Sequence, residues 1–396
     1  MAVAFFFLLP SAASAHALVV AVDPPPGTVL AAAPSLVRVT FSEPVTPFGR
    51  GIDVYAPDGR RVSAKADSQG ATLLGPLGDW QGLPTGTYLV EWRVVAQDTH
   101  PSRGSYTFSV GHSSAIPAGD VLTAGDLGAA SPLGLLLQAV ARWLHFLGYA
   151  AAFGVLAFQL LVLRADEPVS RLRPLVYAGI ALLLAAEPLA LLGQVASLGP
   201  IDAQSTADVL ASAFGRVLAL RLGAALLLWG ILGALRESRG RGAWSVLVLG
   251  LVLALVDGLA GHTIRGAPTF LAQLLTAVHV AAMGAWVGGF AAILAVVGGS
   301  ADRRRLIHRF GRLALVQVGL LVASGLLLAL THLRGPADLV FTAYGLTVAI
   351  KSVAVAVALA AAYSGFRAAR SGRPEALALA GVLALASLLA SLPPPR

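Results

Sequence analysis

Charge-free apolar stretches at 143–163, 266–301, 313–333 and 376–395 constrain this chain most, because each is long enough to cross a bilayer as a helix. Further apolar runs near 174–198, 216–235, 243–261 and 345–366 each tolerate an isolated charge, so the pattern predicts eight transmembrane helices. The composition agrees: 57% of residues are hydrophobic and only 12% charged, so lipid must solvate much of the chain. A net charge of +8 would suggest a nucleic-acid partner in a soluble protein. Here the arginines stand in short clusters between apolar runs, which is the pattern of membrane topology, and no nucleic-acid partner is expected.

The clusters also orient the bundle. Arg164, Arg171, Arg173, Arg236, Arg239, Arg241, Arg303, Arg304, Arg305, Arg309, Arg312, Arg367, Arg370 and Arg373 fall in one alternate set of loops, and that set makes fourteen. The other set holds Arg265 and Arg334, with Arg216 near a helix start. The positive-inside bias places the N-terminal region and the loops at His262 and His332 outside the cytoplasm. An apolar run from Val3 to Leu9, followed by Pro10 and Ala13-Ser14-Ala15, reads independently as a signal peptide over 1–15, cut before His16.

Between His16 and Gly111 the texture is different. Short alternating runs, Leu36–Phe41, Ile52–Tyr55, Thr87–Val95 and Ser105–Val110, are separated by the turn sequences Pro24–Gly27, Pro57-Asp58-Gly59 and Pro84-Thr85-Gly86. Such punctuation predicts a small β-sandwich or barrel over 16–111, joined by a Gly-, Ser- and Ala-rich linker at 112–132 to the membrane region at 133–396.

The chain has no cysteine, so thiolate metal sites are excluded. Cleavage before His16 would give one residue both an α-amine and an imidazole, a nitrogen chelate that favours Cu(II) among divalent ions. Asp98-Thr99-His100-Pro101 lies between two predicted strands, where residues at i and i+2 project to one side, so Asp98 and His100 could converge on one ion. His16, Asp98 and His100 together offer three nitrogens and one oxygen, a donor set suited to tetragonal Cu(II). An Asp-x-His pair alone is far more often a solvated loop. Glu43 and Trp92 read as structural residues and His112 as part of the linker.

These residues carry a resemblance to the copper resistance protein C (CopC) family: His16-Ala17-Leu18, the Pro24–Gly27 turn, Thr40-Phe41-Ser42-Glu43-Pro44-Val45, Gly86-Thr87-Tyr88, Trp92-Arg93-Val94, Asp98-Thr99-His100-Pro101 and Phe108 occur in order. The resemblance implies a cupredoxin-like Greek-key β fold that binds Cu(II) through His16, Asp98 and His100. The family's usual Asp-Gly-His-Pro is Asp-Thr-His-Pro here, which implies an altered turn with both ligands kept. Its methionine-rich Cu(I) site has no counterpart in this region.

The second half resembles the CopD family through Arg142-Trp143-Leu144-His145-Phe146, His279-Val280-Ala281-Ala282, Trp286-Val287-Gly288-Gly289, Arg309-Phe310, Arg312-Leu313-Ala314, Tyr344-Gly345 and Lys351. That resemblance implies copper movement across the inner membrane, mostly inward, in a multi-pass protein whose N-terminal domain faces the periplasm or exterior. Ionisable groups in lipid are costly and normally face a bundle interior. His145, His279, Glu187, Asp257, His262 and Lys351 are therefore candidates for a membrane copper path. Met283, four positions after His279 on the same helix face, is a candidate soft donor to Cu(I). The expected partners are copper ions, the bilayer, and a copper chaperone or copper enzyme.

Three functions fit these residues. The first is a non-enzymatic carrier that captures Cu(II) outside and passes copper inward. The second is an oxidoreductase in which His145 and His279 ligate a b-type haem and reduce copper. The third is an assembly or resistance factor that presents copper without transporting it. No nucleotide-binding loop is present, so the chain is not expected to be an ATP-driven pump.

Overall fold

A computed structural model describes residues 19–78, 82–97, 99–117, 131–164, 170–235, 243–260, 269–297, 303–333, 335–367 and 373–392. The predicted signal peptide, His16, Asp98 and His262 lie outside the described residues, as does most of the predicted linker. The chain divides into two compact units. One comprises 1–136 and 191–216; the other comprises 137–190 and 217–396.

In the first unit eight strands form two four-stranded sheets among the described residues. The strands are β1 (Val19–Asp23), β2 (Val29–Leu30), β3 (Leu36–Phe41), β4 (Val45–Tyr55), β5 (Asp67–Gln69), β6 (Thr72–Pro76), β7 (Gly86–Ala96) and β8 (Pro101–Val110). The sheet orders are β1-β3-β6-β5 and β2-β8-β7-β4, a sandwich of two separately bonded sheets. All pairings are antiparallel except β2 with β8.

Alternation sets the core, because successive strand side chains point to opposite faces. Val37, Val39 and Phe41 of β3 enter one hydrophobic cluster with Tyr88, Val90, Trp92 and Val94 of β7 and Phe108 of β8. Trp92 is fully buried there and packs its ring 6.3 Å from Tyr106. The same unit holds the C-terminal end of α3 (Arg173–Leu198), the short helix α4 (Ala203–Ala211) and the start of α5 (Ala213–Leu235). Asp202 caps α4 by accepting the Ser205 amide at 2.7 Å, and Asp208 accepts the Gly49 amide at 3.0 Å.

The second unit is helical. Helices α1 (Pro132–Tyr149) and α2 (Val155–Phe158) run as one apolar rod, Pro132–Leu163, through π-helical turns at Ala150–Gly154 and Gln159–Leu163. The later helices are α6 (Ala243–Leu259), α7 (Thr269–Val297), α8 (Arg303–His332), α9 (Asp338–Phe341), α10 (Ala343–Arg367) and α11 (Arg373–Leu389). Among the described residues six helices are long and apolar enough to span a membrane, so the expected count of eight is not confirmed. The apolar parts of α6 and α11, Trp244–Leu259 and Ala378–Leu389, are shorter among the described residues. At about 1.5 Å per residue they fall below the ~30 Å hydrocarbon thickness.

Small residues bring the helices together. A side chain on Gly154 would overlap the Gly284 carbonyl, and one on Gly288 would overlap the Ala150 carbonyl. Gly289 sits under the Phe310 ring, so two of the short motifs, Trp286–Gly289 and Arg309-Phe310, meet in space.

Candidate metal centre and buried charge cluster

Strands β7 and β8 are in register through Val95 and Pro101, which brings Ala96, Thr99 and His100 together at the end of the hairpin. The Ala96 amide donates to the His100 carbonyl at 2.9 Å, and the Thr99 amide donates to the Ala96 carbonyl at 3.0 Å. Thr99 stands at φ 73°, in the left-handed region. Thr99 thus adopts a backbone conformation that suits glycine. For a β-branched residue this is a true outlier, at a cost of about 1–3 kcal/mol, and it persists only where the surroundings fix it. Thr99 is 3% exposed and His100 2%. Gln194, fully buried near the C-terminal end of α3, donates its amide to the Thr99 carbonyl at 2.9 Å.

In the second unit α1, α3, α5 and α6 each contribute one charged group to a buried cluster. His145 Nδ1 lies 3.0 Å from Glu187 Oε1, and its Nε2 lies 3.1 Å from Asp257. Arg221 Nε donates to Asp257 Oδ1 at 2.8 Å. Carboxylate oxygens only accept, so with both acids ionised each ring nitrogen donates and the ring is an imidazolium. Two positive groups then balance two negative ones, which is how buried charges are tolerated. Tyr149, one turn beyond His145, donates to the Gly250 carbonyl at 2.9 Å and lays its ring against Gly284.

The arrangement bears on copper. Both nitrogens of His145 face carboxylates on opposite edges of the ring, so a metal could reach it only by displacing one of them. Among the described residues no group of three His, Cys, Asp or Glu side chains is arranged to hold a metal ion. Arg221 did not figure among the expected site residues. Its signal was a second isolated charge in an apolar run, opposite in sign to Asp257.

His279 lies on α7, apart from that cluster in its hydrogen bonding. Ser324 of α8 directs its hydroxyl hydrogen to the Leu320 carbonyl at 2.5 Å, so its Oγ accepts from His279 Nδ1 at 2.9 Å. Nε2 is then the lone-pair nitrogen, the form that ligates metals. The ring rests on Gly325, where an added Cβ would lie 3.1 Å from His279 Cε1. Met283 packs into the bundle's apolar cluster, and Lys351 of α10 lies within electrostatic reach of His279.

A β-sandwich followed in sequence by apolar helices around a charge-balanced polar cluster defines a membrane protein with an added β domain. Residues 19–111 match the CopC domain, and residues 133–268 match the copper resistance protein D-like N-terminal domain. The chain belongs to the copper resistance protein C family through its β domain, which a copper resistance protein D-like N-terminal domain follows in the same polypeptide.

Among its relatives, copper transport protein CutJ of Bacillus subtilis is 27% identical over 386 residues, which cover 88% of this chain and 67% of that protein. That coverage extends past residue 268, into the region of His279 and Lys351. Protein YobA of Escherichia coli K12 is 36% identical over 100 residues, 24% of this chain and 79% of YobA. Copper resistance protein C of Pseudomonas syringae pv. tomato is 36% identical over 110 residues, covering 26% and 86%. Among solved structures, CopC from Methylosinus trichosporium OB3b is 27% identical with a TM-score of 0.22, covering 27% of this chain and all of that one. PcoC of Escherichia coli, described as a methionine-rich copper resistance protein, is 30% identical with a TM-score of 0.21, covering 24% and 98%.

Proposed function

We propose that this protein captures Cu(II) outside the cytoplasm and carries copper inward across the inner (plasma) membrane, acting as a carrier and not as an enzyme. The observation that carries the reading is the joining of both copper-resistance modules in one chain, aligned across most of its length with a copper transport protein. In this reading His16, Asp98 and His100 bind Cu(II), and the β domain faces the periplasm or exterior, as the arginine distribution favours.

Within the bundle, the ring orientation of His279 supports it as the copper-facing histidine, with Met283 as the soft donor should copper pass as Cu(I). His145 serves in the charge cluster, because ligating copper would break one of its carboxylate contacts. The same contacts weigh against His145 as a haem ligand. A chaperone or copper enzyme would receive the metal inside.

Copper flux in vesicles of known orientation tests the reading. Inward accumulation should be lost on His100→Ala and on His279→Ala. Equal accumulation by vesicles lacking the protein would reject transport, and a Soret band in the purified protein would favour the haem alternative.

A further inference from the structure

The strained loop and the helix end beside it belong to one compact unit, and their contact assigns a role to a residue of the membrane region. Thr99 immediately precedes His100, and its left-handed backbone is one that a threonine adopts only under constraint. Two backbone hydrogen bonds hold the ends of the loop, from the Ala96 amide to the His100 carbonyl and from the Thr99 amide to the Ala96 carbonyl. The Thr99 carbonyl turns away from both and accepts from Gln194, a side chain with no solvent exposure. A fully buried amide aimed at the carbonyl of the one strained residue beside a proposed ligand is a device for fixing peptide orientation.

We propose that Gln194 is a positioning residue for copper: its hydrogen bond holds the Thr99 peptide in the left-handed turn and thereby sets the backbone from which His100 reaches the metal. This inference rests on His100 being a copper ligand, as proposed above. It also explains how threonine can occupy a left-handed position. Glycine reaches this φ without strain and needs no external clamp, whereas threonine needs one. The clamp comes from α3, the helix that carries Glu187 two turns earlier.

The test is a double-mutant cycle on the full-length protein in detergent or nanodiscs, with Cu(II) as the probe. Gln194→Met keeps the side-chain volume and removes the donor; Thr99→Gly removes the strain. In the Thr99 background Gln194→Met should weaken Cu(II) binding about fivefold, the effect of one lost hydrogen bond. It should also split the Cu(II) paramagnetic resonance spectrum into more than one set of hyperfine lines. In the Thr99→Gly background the same substitution should change affinity less than twofold and leave one set of lines.

A merely structural role for Gln194 would give equal losses in both backgrounds and unchanged hyperfine lines, which would overturn the inference and leave the copper site standing. If His100→Ala leaves Cu(II) binding unchanged, the copper-site reading fails and the inference falls with it.

Discussion

Removing Asp257 should expose how the bundle keeps its charges. Asp257 receives both His145 Nε2 and Arg221 Nε, at 3.1 and 2.8 Å, and is 4% exposed. Asp257→Asn keeps the shape but leaves the imidazolium and the guanidinium facing only Glu187, an uncompensated positive charge in an apolar bundle. Breaking a buried pair from one side typically costs about 3–5 kcal/mol. The Coulomb attraction of two unit charges at about 4 Å, with an effective dielectric of about 20, is ~4 kcal/mol and gives the same scale.

Arg221→Met should cost a similar amount by leaving a negative excess. The double variant restores neutrality, with Glu187 and the His145 imidazolium remaining. Its loss should therefore fall short of the sum of the single losses by about 2–3 kcal/mol, near the upper end of couplings between contacting residues. Unfolding of each variant in mixed micelles, followed by tryptophan fluorescence, measures the three values. Additivity within about 0.5 kcal/mol, or a cost below about 1 kcal/mol for Asp257→Asn alone, would refute the charge-balance account.

Gly288→Val should force the helices at Ala150 and Gly288 apart and cost about 1–3 kcal/mol, read in the same unfolding assay, whereas Gly381→Ala, with open space around it, should be nearly silent. A chain extended by one residue before His16 should bind Cu(II) far more weakly than the processed form, because it lacks the paired amine and imidazole; equal affinities in a competition titration would remove His16 from the site. The Ser205 amide holds the Asp202 carboxyl below its usual value of 3.8. Its contribution to stability is therefore present above that value and lost as pH falls through the lower folded-state value, so Asp202→Ala should lower the melting temperature at neutral pH and change it little in strong acid.

Much of this protein is written locally. Alternating runs in β3 and β7, broken by Pro and Gly turns, predict strands because a strand's side chains alternate, and the sandwich follows from two half-buried sheets needing each other. The apolar runs predict membrane helices because backbone groups in lipid must bond within their own segment. Helix number was less legible: α6 and α11 are apolar runs that hydropathy alone counts as spans, and among the described residues their apolar parts are shorter than those of the other six.

The tertiary structure decided which polar residues meet. His145, Glu187, Arg221 and Asp257 stand on four helices, and nothing in their spacing says that one imidazole is held between two carboxylates, since pairing follows from helix packing and not from period. In the same way nothing in Asp-Thr-His-Pro says that Thr99 stands in the left-handed region with its carbonyl held by Gln194, 95 positions away. Sequence determines which side chains must be buried or solvated by lipid, because those choices depend on each residue's own transfer free energy. Which buried groups satisfy one another depends on contacts between segments far apart in the chain, and these exist only once the helices and sheets have packed.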